Sequence, residues 1–302
     1  MKIDTYQMVT DRICAALENG VKPWAMPWVN PMNCGWSGQT GKPYSFLNQM
    51  LLADPEKKYA DMAEWMEDIR GEWLTFNQIQ ERGGKIRKGE HGRKIVFFKM
   101  IPLKDEDGNE TEDTFPFLSV STVFHVRQCE GIEAKYHAEK DQRFSFIQSA
   151  TADSVSSRYL TRSGVKLINS ESNRAFYRPA TDEVHLPNPE QFRNSEEYYS
   201  TLFHELTHST GHPSRLNRVN GNVNFGDENY SEEELVAEIG SASILSSLGI
   251  ETEDSFTNSA AYIGNWLSAL KNDKKMIVKA ASKAEKAVRM IFGIQIDSND
   301  TI

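Results

Sequence analysis

Residues 203–212 read FHELTHSTGH. Within them His204, Glu205 and His208 form H-E-x-x-H. Residues four apart on a helix share a face, so His204 and His208 can offer two imidazoles to one ion. Glu205, next to His204, can reach a water on that ion without ligating the metal. Zinc lowers the pKa of such a water toward neutrality, and the carboxylate takes its proton as the water attacks a carbonyl. A second pattern supports the helix independently. Tyr199, Leu202, Phe203 and Leu206 make an apolar stripe that would bury the opposite side. The spacing predicts a helix from about Ser195 to Ser209.

Zinc in a hydrolase needs a third protein ligand. The run continues through Gly211 to His212, which imitates H-E-x-x-H-x-x-G-x-x-H, but the position that pattern requires is Ser214. His212 falls just after a helix-ending glycine and reads as a surface residue at the helix C-terminus. No histidine follows it, and the nearest one upstream, His185, lies in the strand EVHL. A carboxylate is the better choice. YSEEELVAEIGSASILSSLG, a helix predicted to open at Ser231, carries Glu232, Glu233, Glu234 and Glu238. H-E-x-x-H followed by E-x-x-x-[DE] resembles the gluzincins. That resemblance implies Glu234 as the metal ligand and Glu238 as the acid that orients a ligand histidine. Ser231-x-x-Glu234 is also a capping box, which leaves Glu238 as the alternative ligand. Gly240, Ser241, Ala242 and Ser243 are small enough for this helix to pack closely on the His204 helix. One Zn2+ per chain is expected, with Mn2+ or another divalent ion fitting the same donors. Zincins take peptides against a sheet edge, and Val184, His185 and Leu186 are the predicted edge strand. Tyr262 is a candidate oxyanion donor.

The 302 residues suffice for two ordinary domains. No stretch approaches the roughly 18 apolar residues of a membrane span, and the N-terminus, MKIDTYQMVTDRICAALENG, has acids within its first apolar periodicity, unlike a signal peptide. Cys14, Cys34 and Cys129 are odd in number and lack C-x-x-C spacing, which excludes a disulfide framework and points to a reducing cytoplasm. A net charge of -9 argues against general nucleic-acid affinity. The charge is segregated, however. Residues 82–99 hold Arg82, Lys85, Arg87, Lys88, Arg93, Lys94 and Lys99 against the single acid Glu90.

Along the chain, residues 4–19 suit an amphipathic helix. WLTFNQIQER, 73–82, reads as a short helix capped by Thr75 and stopped at Gly83-Gly84. A strand follows, then a hairpin loop at LKDEDGNETED and a second strand, FPFLSVSTVFHV. The apolar pattern lapses near residue 140, the expected boundary between domains 1–140 and 141–302. Further helices are expected over 145–163 and 259–270, and two short strands within RAFYRPATDEVHL, 174–186. The fold class is α+β. Aromatics beside a basic run are how proteins hold single strands without reading sequence.

VKPWAMPW, TGKPYSFLN, WLTFNQIQERGGKIRKGEHGRKIVFFK and VFHVRQCEGI together resemble the N-terminal domain of the ArdC-like antirestriction proteins. AFYRPATDEVHLP, FHELTHSTGHPSRLNR and YSEEELVAEIGSA resemble that family's zincin-like metallopeptidase domain. The resemblance covers nearly the whole chain in the same order. It implies a single-stranded DNA-binding domain joined to a zinc metallopeptidase, carried by mobile genetic elements and acting on restriction proteins or other DNA-bound proteins. By motif position it implies DNA contacts at Trp24, Trp28, Tyr44, Asn48, Trp73, Lys85, Arg87, Lys88 and Lys94. The alternative is a non-catalytic protein that coats single strands and whose zincin domain is structural or dormant.

Overall fold

The computed structural model of the chain describes residues 4–18, 24, 34–54, 57, 62–104, 110–136, 151–218, 228–250 and 266–294. Trp28, Tyr262, the hairpin tip at 105–109 and the expected boundary near 140 lie outside the described residues.

The N-terminal half begins with helix α1 (Thr5–Glu18), whose buried Val9, Ile13 and Leu17 recur at helical spacing. Strand β1 (Gly35–Ser37), helices α2 (Phe46–Leu52) and α3 (Met62–Ile69), strand β2 (Gly71–Thr75) and helix α4 (Phe76–Glu81) follow. Short β3 (Lys85–Ile86) precedes the long hairpin β4 (Arg93–Lys104) and β5 (Glu110–His125), and β6 (Cys129–Glu130) pairs back on β3. The sheet order is β1-β2-β5-β4, with β1 and β2 parallel and the other pairs antiparallel. Thr75 caps α4 as expected, in a reciprocal capping box with Gln78. The helix, however, does not begin at Trp73. Trp73 and Leu74 are strand residues paired with His125 and Phe124, because both side chains bury more apolar surface on opposite faces of the sheet than a helix start could.

The C-terminal half contains α5 (Ala152–Ser163), β7 (Lys166–Ser170), β8 (Phe176–Arg178), β9 (Glu183–Pro187), α6 (Ser195–Ser209), α7 (Glu228–Ser247), a helical stretch over 266–272 and α8 (Met276–Phe292). The α6 bounds are those the spacing predicts, with Asn194 accepting from Glu197 N as the N-cap. Helix α5 starts later than expected, because Thr151 caps it. Helix α7 starts three residues before Ser231, so Ser231 lies inside the helix and cannot be its N-cap. The small residues do bring the two helices together. A Cβ on Gly240 would stand 2.7 Å from Cγ2 of Thr207, and Ser241 Oγ donates to Ser200 O at 2.9 Å.

The three-stranded sheet has the order β7-β9-β8, with β7 parallel and β8 antiparallel to β9. Strand β9 is therefore central, not an edge. Val184 and Leu186 are fully buried, and His185 stacks on Phe176 with ring centroids 4.7 Å apart. The expected edge strand of Val184, His185 and Leu186 is thus corrected. The parallel partner β7 takes one side of β9 through KLINS, a run too polar to stand out as a strand.

One apolar core runs through both halves. It joins Val9, Ile13, Leu51 and Trp73 to Phe203, Leu206, Leu235 and Ile239, with α8 contributing Ala281, Ala284 and Val288. Polar links reinforce it. Phe46 N donates to the buried Glu285 carboxylate at 2.9 Å, and Thr10 Oγ1 donates to Lys274 O at 2.9 Å. A smaller cluster of Leu74, Ile79 and Cys129 fastens α4 and β3 to the other face of the N-terminal sheet. All three cysteines are buried and unpaired with one another.

Candidate metal centre

Helix α6 buries Leu202, Phe203 and Leu206 completely or nearly so and leaves His204 and His208 half-buried on the opposite side. That is the consequence of an apolar stripe offset from an i, i+4 pair on a helix of 3.6 residues per turn. The two Nε2 atoms lie 3.1 Å apart. Helix α7 crosses close by, held near by Gly240, and presents Glu234 to both. Its carboxylate oxygens are 3.5 Å from His204 Nε2 and 3.4 Å from His208 Nε2. One donor atom from each of the three residues falls within 4.8 Å of the others. Two imidazoles and a carboxylate facing one point are the donor set of a tetrahedral site with an open position, so these residues fit a divalent cation.

Each imidazole is held from behind by a different acid. His204 Nδ1 faces Glu238 at 3.7 Å, and His208 Nδ1 donates to Glu233 at 3.2 Å. Glu233 is itself clamped by Arg218, Nε to Oε2 at 2.9 Å and Nη2 to Oε1 at 3.0 Å. Arg218 also donates to Thr207 O and Thr210 Oγ1, both at 2.7 Å, which ties the end of α6 to the same carboxylate. Glu205 is buried at 7% exposure.

The charges are strongly coupled. Burial by itself would depress His204, but Glu234 and Glu238, with Glu205 adding to them, raise it to about 10. Burial also opposes charge on His208, where Glu233 and Glu234 prevail and raise its pKa. Burial works against ionised Glu234, yet its two histidine partners hold it well below the usual carboxylate range. Four carboxylates around two imidazoles make a site that favours positive charge.

His212 stays out of the cluster. Its Nδ1 is 2.7 Å from Ser214 Oγ, in the turn past the α6 C-cap. Sequence patterning misses Glu233 and Arg218. Glu233 is one of three consecutive acids with nothing to rank it, and Arg218 reaches α7 only through the turn after α6. A second arginine of that turn, Arg215, pairs with Asp182 and donates to Ser209 O. That links α6 to the β8–β9 turn.

The nucleic-acid candidates divide by burial. Trp24 is fully buried and meets Trp266 edge-on at 5.5 Å; Trp73 is 1% exposed, with its indole N–H on Ile69 O. Neither presents a face to a base, because each fills the shared core. Asn48 is buried too, donating to Val96 O and accepting from Val96 N, both at 2.8 Å. It satisfies the backbone of β4 instead of meeting DNA. Tyr44 is half-buried, and burial raises its hydroxyl pKa. Lys85, Arg87, Lys88 and Lys94 are exposed.

Comparison with known proteins agrees with this geometry. Residues 3–124 match the family profile described as the N-terminal domain of anti-restriction factor ArdC, and residues 155–283 match that of a zincin-like metallopeptidase. The crystal structure of antirestriction ArdC protein from plasmid R388, metal-free, is 35% identical with a TM-score of 0.69, covering 96% of this chain and 97% of that one. The chain belongs to the ArdC antirestriction family. The Mn(II)-bound crystal structure of the same R388 protein has a TM-score of 0.70 at 34% identity, again covering 96% and 97% of the two chains. Among sequence relatives of this ArdC-family chain, DNA primase TraC of Escherichia coli is 34% identical over 96% of the chain but only 27% of its own length. The chain thus spans about a quarter of that relative. The uncharacterized protein y4eC of Sinorhizobium fredii is 31% identical, covering 98% of this chain and 94% of that protein. The ArdC-family assignment accounts for the α+β architecture and for a zincin-like metallopeptidase domain. Among the described residues, no helix is long and apolar enough to cross a membrane.

Proposed function

We propose that this protein is a cytoplasmic, metal-dependent peptidase directed to single-stranded DNA, with a DNA-holding part up to about residue 140 and a hydrolytic part beyond it. Its substrates are proteins on or near that DNA, restriction components among them. The observation that carries the reading is the convergence of His204 Nε2, His208 Nε2 and the Glu234 carboxylate, with Glu205 buried next to them. The antirestriction family supports a nucleic-acid partner, and the Mn(II)-bound R388 relative supports a divalent ion. Zinc is the ion this donor set suits best.

When bound, such an ion supplies Lewis acidity that polarises a carbonyl and acidifies water. The chain's own residues do the rest. Glu233 holds the Nδ1 proton of His208, and the charge of Glu238, 3.7 Å from His204 Nδ1, favours a proton there too, which aims both Nε2 lone pairs inward. Glu205, at the same turn of α6, is the proton acceptor and returns that proton to the leaving amine. Strand β8 is an edge of the three-stranded sheet and packs against α6. We assign it, in place of β9, as the strand along which a substrate peptide lies.

The test is Glu205→Ala in the full chain, assayed for cleavage of a protein substrate bound to single-stranded DNA. Cleavage should be lost, while metal and DNA binding persist. Retained cleavage overturns the mechanism. If the variant still protects DNA from restriction as well as the parent chain, the non-catalytic, strand-coating reading replaces it.

A further inference from the structure

With Trp24 and Trp73 buried, the aromatic that a single strand could stack on must come from elsewhere. Among the described residues, Phe76 and Phe97 are the large apolar side chains that stay exposed, at 51% and 38%. A lone exposed phenylalanine is ordinary, so position has to decide.

Phe76 opens α4, immediately after β2. In the sheet, Thr75 pairs with Val123, which pairs with Arg93, and the next rung pairs Thr122 with Lys94. Phe76 follows Thr75 as the first residue of α4, and Lys94 follows Arg93 on β4, two strands away in the same sheet. The helix and Lys94 lie on one face of that sheet. A Cβ on Gly92 would meet Thr122 and Phe124 side chains, so these two lie on the Gly92 side, and Lys94 alternates back to that side. Lys94 Nζ confirms it by donating to Thr122 Oγ1 at 2.6 Å. Phe124 packs in the small cluster with Leu74, Ile79 and Ile86, so α4 and β3 cover this same face. Strand β3 brings Lys85 with it, and Arg87 and Lys88 follow in the adjoining turn, all exposed. Phe97, an odd number of residues from Lys94 on β4, points to the opposite face.

Helix α4, which Phe76 opens, therefore lies on the face that carries Lys94 and packs beside β3, after which Arg87 and Lys88 follow. Among the exposed acids of this region, Glu130 is paired with Lys85 at 3.0 Å, which leaves Arg87, Lys88 and Lys94 against Glu81 and Glu90. The α4 cap is already complete through Thr75 and Gln78, so the Phe76 ring is not needed to start the helix.

We infer that Phe76 is the platform on which a base of single-stranded DNA stacks, with Lys94, Arg87 and Lys88 holding phosphates. The inference rests on the single-strand reading above and names where that reading takes place. The occupant is a single strand and not a duplex, because a stacked base must be free of its partner. Charge complementarity is local: the chain as a whole is acidic, but residues 85–94 hold five cations against the single acid Glu90, an excess that attracts a phosphate chain.

The test uses the full chain and an oligothymidylate of about 16 nucleotides, with binding followed by fluorescence anisotropy at several salt concentrations. Phe76→Ala should weaken binding roughly 5- to 150-fold and leave the salt slope unchanged, because stacking releases no counterions. Phe76→Trp should bind at least as tightly as the parent, and Phe76→Leu should behave like alanine. Lys94→Ala should lower the slope of log affinity against log salt by about 0.7. If the parent binds the oligonucleotide and Phe76→Ala binds equally well, Phe76 is not the platform. If the parent does not bind it at all, the single-strand reading itself falls. Unchanged thermal midpoints, expected at a half-exposed position, separate either result from misfolding.

Discussion

Arg218 and Glu233 form a two-pronged ion pair, at 2.9 and 3.0 Å, directly behind the imidazole of His208. The guanidinium is 5% exposed and the carboxylate 15%, so the pair acts where solvent screens it little. It turns a turn residue, ten positions past His208, into a support for one side of the metal centre.

Breaking that support should have two separable effects. Glu233→Gln keeps the shape but removes the charge that holds the Nδ1 proton, and should weaken Mn(II) or Zn(II) binding about 10- to 100-fold by calorimetric titration. Arg218→Met leaves Glu233 buried without its guanidinium, and should destabilise the fold by about 3–5 kcal/mol in urea denaturation. Affinity unaffected by Glu233→Gln would remove Glu233 from the centre.

The two acids of α7 that compete for ligation differ in what they face. Glu234 reaches Nε2 of both histidines, whereas Glu238 faces Nδ1 of His204. Glu234→Ala should therefore abolish tight metal binding, and Glu238→Ala should weaken it about 10- to 100-fold. The reverse order, measured by metal content after dialysis, would make Glu238 the ligand.

Asn48 should behave as a structural residue. Its amide makes both hydrogen bonds of the Val96 backbone, in the buried joint between α2 and β4. Asn48→Ala orphans a buried N–H and a buried C=O, at a cost of about 1–3 kcal/mol each. The denaturation midpoint should drop, and the affinity of the still-folded fraction for single strands should not change.

His125 gives the N-terminal half an acid limit. Burial pushes its pKa down to about 4, and Arg127 adds to the effect. Its Nε2 faces Arg70 O at 2.9 Å while Nδ1 accepts from Arg127 N at 2.9 Å, so a second proton would displace the Arg127 bond. The folded pKa lies below the unfolded value near 6.5, so the unfolded chain binds more protons between the two. Stability from this group is complete above about pH 6.5 and falls as the pH drops toward 4, by about 2 kcal/mol between pH 7 and 5. His125→Gln should flatten that part of the profile in urea titrations. An equally steep fall in the variant would assign the effect to other groups.

Several elements were legible because their signals are local. The α6 bounds followed from its stripe, the α4 cap from Thr75, and the β4–β5 hairpin from its polar tip. Helix α8 escaped notice although its buried face is strongly apolar, since alanines and lysines dominate its sequence. Strand β7 escaped because KLINS is short and half polar. Strand β9 was recognised as a strand but misplaced as an edge, since nothing in its own residues says which strands flank it.

The metal-binding potential was written in the sequence, because H-E-x-x-H needs only a helix to bring two imidazoles to one side, and an apolar stripe supplies the helix. The same chain order also carried the family. Tertiary structure alone decided the rest. It chose Glu234 to face both imidazoles by laying α7 across α6 at Gly240. It recruited Arg218 and Glu233 across a gap in sequence, and it buried Trp24 and Trp73 while leaving Phe76 in solvent. Helical periodicity is a property of neighbours along the chain. Which acid meets a histidine, and which aromatic meets solvent, depends on how helices and sheets close on one another.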